Sequence, residues 1–123
     1  MPATVLLVED HDEMRAALRD WFLASLPQPT MREARSMEEA LAHAAQTPLD
    51  LAVVNVELPG PNGIEAAREL RRRDDRLPLV VTSIHDSEAL RLAALDAGAD
   101  AFVCKRELTM SLLPIVQRLM QRN

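Results

Sequence analysis

Short apolar segments alternate with longer amphipathic segments along the whole chain. Residues 4–8 and 49–54 are typical of the short segments, which are rich in β-branched residues and too short for a helix. Three further segments of this kind lie at residues 30–35, 79–81 and 101–104. Between them, apolar residues recur at intervals of three and four, which predicts helices with one buried face. The pattern therefore predicts five strand–helix units in regular alternation.

This alternation determines the predicted architecture. Strands that are apolar on both faces, each followed by a helix, favour a parallel sheet covered by helices on both sides. Right-handed crossovers then favour the doubly wound open sheet. We therefore predict an α/β fold with a doubly wound, five-stranded parallel sheet. Because no repeat or linker interrupts the pattern, residues 1–123 are predicted to form a single domain.

Capping and helix-breaking residues predict where individual helices begin and end. Ser36 and Glu39 have the spacing of a capping box, which predicts the start of the second helix. Gly98 is predicted to follow the fourth helix as its C′ residue. The last helix is predicted from about Ser111, with Pro114 tolerated because it falls in the first turn.

The composition narrows the function classes. Hydrophobic residues make up 48% of the chain, enough for a packed core, and the formal net charge is -5. Since binding to DNA or to an anionic membrane needs clustered cations, we expect neither nucleic acid nor membrane as a partner. The single cysteine, Cys104, cannot form an internal disulfide and is interpreted as a small buried apolar residue. The chain start has neither a basic leader nor a long apolar run, so we expect a cytoplasmic location.

Polar side chains follow four of the predicted strands, at the edge where open α/β sheets hold their ligands. They are Glu9 and Asp10, Asn55 and Glu57, Thr82 followed by Ser83, and Lys105. Carboxylate and amide oxygens suit Mg²⁺, while a hydroxyl and a lysine can neutralise a phosphoryl group. The first strand–helix turn contains no glycine, which disfavours a dinucleotide site.

Several segments resemble the receiver domains of two-component response regulators. Residues 5–11 resemble the acidic-pair opening of that family, and residues 50–60 resemble its phosphoacceptor strand and loop. Asn62 and Gly63 match the turn that follows, and residues 98–105 resemble the segment that ends in the family's pocket lysine. The resemblance covers nearly the whole chain in the right order. It implies the flavodoxin-like (βα)5 receiver fold.

The resemblance also implies roles for the polar residues at the sheet edge. It assigns Mg²⁺ binding to Glu9, Asp10, Asn55 and the backbone carbonyl of Glu57. It assigns contact with the phosphoryl group to Thr82 and Lys105, and it makes Thr82 and Phe102 the hydroxyl–aromatic switch pair.

One departure from the family pattern changes the expected mechanism. Asn55 stands where receivers carry the phosphorylated aspartate. A neutral amide should neither attack a phosphohistidine nor form an acyl phosphate, and it should make Mg²⁺ binding weak or absent. Two origins stay open: a naturally degenerate receiver, or a substitution that locks the domain unphosphorylated.

A second departure is Arg106, which stands where the family has a proline after the lysine. Together with the Asp10–His11 pair, it is similar to receivers joined to LuxR-type helix-turn-helix domains. The chain is then either a free-standing receiver or part of a longer regulator.

The predicted function is signal transduction in a phosphorelay through protein–protein contact, without enzymatic activity. The resemblance implies a sensor histidine kinase or a phosphotransfer protein as partner. It also implies a readout face, residues 87–121, through which a homodimer could form. Leu90, Ala94, Met110 and Leu113 are its predicted exposed apolar members. The alternative is a Mg²⁺-dependent phosphoryl hydrolase that uses Glu9, Asp10 and Glu57, but the sequence offers no further general base.

Overall fold

The computed structural model describes residues 2–121. Its five strands are β1 Thr4–Val8, β2 Thr30–Ala34, β3 Leu51–Asn55, β4 Leu79–Ser83 and β5 Ala101–Cys104. Its α-helices are α1 Asp12–Ser25, α2 Met37–Gln46, α3 Gly63–Arg73, α4 Glu88–Asp96 and α5 Leu108–Gln121. A single 3-10 turn, Lys105–Glu107, precedes α5.

All five strands lie parallel in one sheet, in the order β2-β1-β3-β4-β5. The predicted doubly wound five-stranded sheet is therefore confirmed. The strand order reverses between β1 and β3, because the chain runs from β1 to one edge and then returns to build towards the other. At such a reversal the loops after the two strands diverge and leave a cleft at the carboxyl edge.

The core lies on both faces of the sheet. On one face, α1 and α5 cover alternate strand residues that include Leu7, Val53 and Val80. On the other face, α2, α3 and α4 cover the intervening residues, such as Val54 and Val81. Because β3 and β4 are buried on both sides, they are apolar up to their carboxyl ends, as the sequence pattern predicted. The edge strand β2 is less buried and contains Arg32 and Glu33.

Local hydrogen bonds explain the helix boundaries. The hydroxyl of Ser36 accepts a hydrogen bond from the Glu39 N–H at 3.2 Å, as a capping box requires. The returning carboxylate of Glu39 accepts from the N–H of Arg35 at 2.9 Å, one residue earlier than the motif predicts. Gly98 has φ +110° after α4, which agrees with its prediction as a C′ residue.

The predicted start of the last helix is wrong. The helix begins at Leu108, three residues before Ser111, so Pro114 is an interior residue rather than a first-turn residue. The physical reason is burial: Leu108 and Leu112 are only 7% and 1% exposed. Covering this apolar surface outweighs the hydrogen bond that Pro114 cannot donate.

One surface assignment also needs correction. Ala94 is fully buried between α4 and the sheet, so it is not an exposed member of the readout face. Met110, by contrast, is 83% exposed. Arg71 connects two elements: its guanidinium donates to the Gly98 carbonyl at 2.8 Å and to Asp100 at 3.1 Å, which ties α3 to the loop before β5.

Candidate functional site

Glu9 lies at the centre of the cleft. It follows β1 directly and is only 2% exposed. One carboxylate oxygen accepts a hydrogen bond from Lys105 Nζ at 2.6 Å. The other accepts from the His11 N–H at 3.1 Å and from Asn55 Nδ2 at 3.3 Å. A buried carboxylate needs such compensation, and here a cation and two neutral donors supply it.

Asn55 is the last residue of β3 and is 2% exposed. Its Nδ2 also donates to the Glu57 carbonyl at 2.8 Å. Both neighbours of Nδ2 are acceptors, so only this orientation of the amide satisfies them. Within residues 2–121, the buried Oδ1 of Asn55 accepts no hydrogen bond. The side chain therefore links the first and third strand ends through its nitrogen.

Gly63 explains how α3 reaches this point. A Cβ at residue 63 would lie 1.9 Å from the carbonyl oxygen of Asn55, a distance that no side chain can occupy. The Gly63 N–H also donates to the Val56 carbonyl at 2.8 Å. The absence of a side chain thus lets the helix begin against the backbone of the site.

The cleft has a volume of about 340 Å³. It is lined by Glu9, Asp10, His11, Met14, Asn55, Glu57, Ile84 and Lys105. Five of the predicted site residues are therefore brought together: Glu9, Asp10, Asn55, Glu57 and Lys105. Asp10 is exposed at the mouth of the cleft, and His11 caps α1 by accepting from the Met14 N–H at 3.2 Å.

Ser83 has a role in the site that the sequence pattern did not predict. It ends β4, is fully buried, and its hydroxyl donates to a carboxylate oxygen of Glu57 at 2.8 Å. The other carboxylate oxygen of Glu57 accepts from the Ile84 N–H at 3.1 Å. The hydroxyl that meets the loop after β3 is thus that of Ser83.

The predicted switch pair of Thr82 and Phe102 is not brought together on one face of the sheet. Val81 and Phe102 are register partners and share the α4 side. Since strand side chains alternate, Thr82 points to the α1 and α5 side together with Val80. Ser83 is the hydroxyl residue that shares the face of Phe102. Sequence periodicity could not decide between them, because β4 is buried on both faces.

In this arrangement, most of the oxygens that the resemblance assigns to Mg²⁺ already have other partners. The Glu57 carbonyl, a predicted ligand, accepts from Asn55, and the Glu9 carboxylate is paired with Lys105. Among residues 2–121 there is no group of three or more histidine, cysteine or acidic side chains that could hold a metal. The donors left for a cation are one neutral amide oxygen and the exposed carboxylate of Asp10, where Mg²⁺ favours anionic oxygen ligands.

Comparison with known proteins decides the family. The model of the response regulator receiver domain matches residues 5–117 of the chain. The chain belongs to this family. The expected receiver fold is thereby confirmed. The cleft lies at the carboxyl edge of the sheet, where open α/β sheets hold their ligands.

Two relatives of the chain are transcriptional regulatory proteins. The chain is 33% identical to the transcriptional regulatory protein BaeR of Escherichia coli, over 93% of this chain and 48% of that protein. It is 37% identical to the DNA-binding transcriptional activator DevR/DosR of Mycobacterium tuberculosis, over 82% of this chain and 46% of that protein. The chain spans about half the length of these relatives.

A two-component response regulator of the LuxR family from Aurantimonas has the same fold. The TM-score is 0.91 at 28% identity, and the match covers 100% of this receiver domain and 88% of that chain. In the part of the receiver domain that the structure describes, no helix combines the length and the apolar character that a membrane span requires.

Proposed function

We propose that this receiver domain works in two-component signalling through protein–protein contacts and does not accept a phosphoryl group at Asn55. The observation that carries the proposal is the position of Asn55 at the end of β3, between Glu9 and Lys105 on one side and Glu57 on the other. This is the place that the resemblance assigns to the phosphorylated aspartate. The amide has no full charge and no available nitrogen lone pair, so it cannot act as the nucleophile.

The network around Asn55 supports weak Mg²⁺ binding as part of this proposal. Asn55 donates to two of the oxygens that would otherwise face a cation, and Lys105 neutralises Glu9 directly. The Glu9 carboxylate and the Glu57 carbonyl therefore have hydrogen-bond donors without a metal, while Asn55 Oδ1 accepts no hydrogen bond among residues 2–121. The network also disfavours the hydrolase alternative, because the carboxylates of Glu9 and Glu57 are both held by donors and neither is placed as a general base.

Asn55→Asp tests the proposal. With acetyl phosphate and Mg²⁺, this variant should gain the mass of one phosphoryl group, while the Asn55 protein should stay unmodified. Asn62→Asp is the matched control, since Asn62 caps α3 and an aspartate there can still accept from the Ile64 and Glu65 N–H groups. A phosphoryl adduct on the Asn55 protein, read by intact mass, would refute the proposal.

The partners are part of the same proposal. A sensor histidine kinase or a phosphotransfer protein would approach the cleft, and the α4–β5–α5 face would carry the output and support a homodimer. This face exposes apolar side chains beside charged ones: Leu92 is 55% exposed and Met110 is 83% exposed. Small transient interfaces combine apolar and charged groups in this way. A cytoplasmic location completes the proposal.

A further inference from the structure

The carboxylate of Glu57 does not face the other acidic residues of the cleft. Its two oxygens accept from a hydroxyl and from a backbone amide, Ser83 Oγ at 2.8 Å and Ile84 N at 3.1 Å. Ser83 Oγ in turn accepts from the His85 N–H at 3.0 Å. One glutamate of the β3–α3 loop thus contacts the last residue of β4 and the residue after it, and Ser83 extends the network to His85.

These two donors form a contact suited to an anion. A hydroxyl and a free amide N–H converge on the two oxygens of one carboxylate, and charge-assisted hydrogen bonds of this kind are stronger than neutral ones. Ser83 is fully buried, whereas Ile84 is 61% exposed, so water screens the Ser83 hydrogen bond less than the Ile84 hydrogen bond. No ion pair among residues 2–121 includes Glu57. The cleft lysine, Lys105, pairs with Glu9 instead. The donors after β4 are therefore what holds this negative charge.

We propose that Glu57 is a built-in anion, which occupies the hydroxyl and amide of Ser83 and Ile84 in place of a phosphoryl group. It is a positioning residue: it holds the segment between β4 and α4 in its anion-bound arrangement without covalent modification. The segment leads directly to Ser87, the cap of α4, so the start of the proposed output face is fixed by Glu57. The inference rests on the proposed function, which places the family's phosphoacceptor position at Asn55 in this cleft and leaves it unphosphorylated.

A simple structural tether predicts different behaviour from a built-in anion. A tether needs only some acceptor of the right length, and Glu57→Gln preserves the length and one carbonyl oxygen. An anion site needs the charge, so the same variant should weaken the Ile84 hydrogen bond. Glu57→Ala should abolish it, and Glu65→Ala, which removes an exposed glutamate of α3, should leave it unchanged.

The test is nuclear magnetic resonance on labelled protein at one neutral pH. In the unmodified chain we expect a scalar coupling through the hydrogen bond between Ile84 N and the Glu57 carboxyl carbon, together with a downfield Ile84 amide proton. In Glu57→Gln the Ile84 amide should move upfield. In Glu57→Ala its hydrogen exchange should become at least about tenfold faster, the loss of a hydrogen bond to a charged group. Ser83→Ala should speed the exchange of the His85 amide, which loses its acceptor.

Two results would overturn the proposal: an Ile84 amide whose shift is the same in the unmodified chain and in Glu57→Gln, or unchanged Ile84 exchange in Glu57→Ala. Ser83→Ala provides a second route if Glu57→Ala fails to fold, since unchanged His85 exchange would also contradict the geometry. None of these measurements involves phosphorylation. Failure here leaves the mass test on Asn55→Asp intact, and an adduct on Asn55 would overturn the proposed function without touching the Ile84 contact.

Discussion

The cleft and the outer surface of α4 contain the same kind of ion pair in different surroundings. Lys105 and Glu9 approach to 2.6 Å in the cleft, with side chains only 9% and 3% exposed. Arg91 and Glu88 approach to 2.5 Å on α4, with side chains 46% and 68% exposed. Distance alone makes the two pairs look equivalent. Burial separates them, because water screens the second pair and barely reaches the first.

The difference lies in what happens when a pair is broken. A buried pair adds little net stability over apolar packing, yet removing one partner leaves a charge without compensation. Glu9 would then depend on two neutral donors, Asn55 and His11. An exposed carboxylate such as Glu88 returns to water. Residues of the cleft are therefore mutually dependent, whereas those on the surface of α4 are replaceable.

The largest expected effect comes from Lys105→Met, which breaks the buried pair and keeps the side-chain length. We expect a loss of about 3–5 kcal/mol in the free energy of unfolding, because the Glu9 carboxylate stays buried without a cation. Urea unfolding measures it. The double variant Glu9→Gln with Lys105→Met is the control and should recover much of the loss. Equal stability of the single variant and the unmodified chain would contradict the comparison.

Asn55→Asp adds a negative charge to the cleft, whereas Lys105→Met removes a positive one. Asn55 Nδ2 now donates to Glu9 and to the Glu57 carbonyl, and a carboxylate would place an oxygen against both acceptors. Lys105 offsets part of the repulsion, so we expect a loss of roughly 1 kcal/mol without metal. Mg²⁺ should reverse it, since a ligand of the folded state raises stability.

Thermal unfolding with and without Mg²⁺ measures this change. The unmodified chain should show a smaller Mg²⁺-dependent rise in Tm than Asn55→Asp, and Asn62→Asp should behave like the unmodified chain. The absence of any Mg²⁺-dependent rise in Tm for Asn55→Asp would remove the basis for placing the phosphoacceptor position at residue 55.

On the outer surface, substitutions should alter association rather than stability. Leu92→Glu and Met110→Glu change exposed side chains of the α4–β5–α5 face and should abolish self-association while the Tm stays close to that of the unmodified chain. Sedimentation velocity measures the oligomeric state. Leu23→Glu on α1, which is 50% exposed, is the matched control. Oligomers that persist in both α4–β5–α5 variants would point to another surface.

The smallest expected effect concerns Glu88 and Arg91. The hydrogen bond from Arg91, reinforced by its charge, holds the pKa of Glu88 below its ordinary value of 4.5. A carboxyl whose pKa is lowered by folding stabilises the protein above the unfolded pKa, and the contribution disappears as the pH falls through the folded pKa. The Tm difference between the unmodified chain and Arg91→Met should therefore be small near about pH 7 and should decrease towards zero as the pH falls below about 4.5 and through the lowered pKa of Glu88. A difference that grows on acidification would show that the assigned sign is wrong.

The sequence predicted the strands and which polar residues lie near their carboxyl ends, because both depend on local order. Glu9 and Lys105 each follow a recognisable buried strand and Asn55 ends one, and parallel strands bring their carboxyl ends to one edge. The direction in which each side chain points was harder to predict. Thr82 and Ser83 are adjacent hydroxyl residues at the end of a strand without alternation, so the pattern could not say which one meets Glu57. Ala94 and Leu92 likewise lie on one short helix, and only packing shows that Ala94 is the buried one.

By itself, the sequence determined the alternating α/β architecture, the acidic character of the domain and the neutral residue at position 55, since hydrophobic period and residue chemistry are local properties. Only the tertiary structure decided which side chains form hydrogen bonds and ion pairs with each other. Lys105 pairs with Glu9 across 96 positions of the chain, and the carboxylate of Glu57 turns away from the acidic cluster towards Ser83 and Ile84. Hydrogen bonds act over about 3 Å, so side-chain direction at each strand end selects the partner, and that direction is set by the packed sheet and its helices.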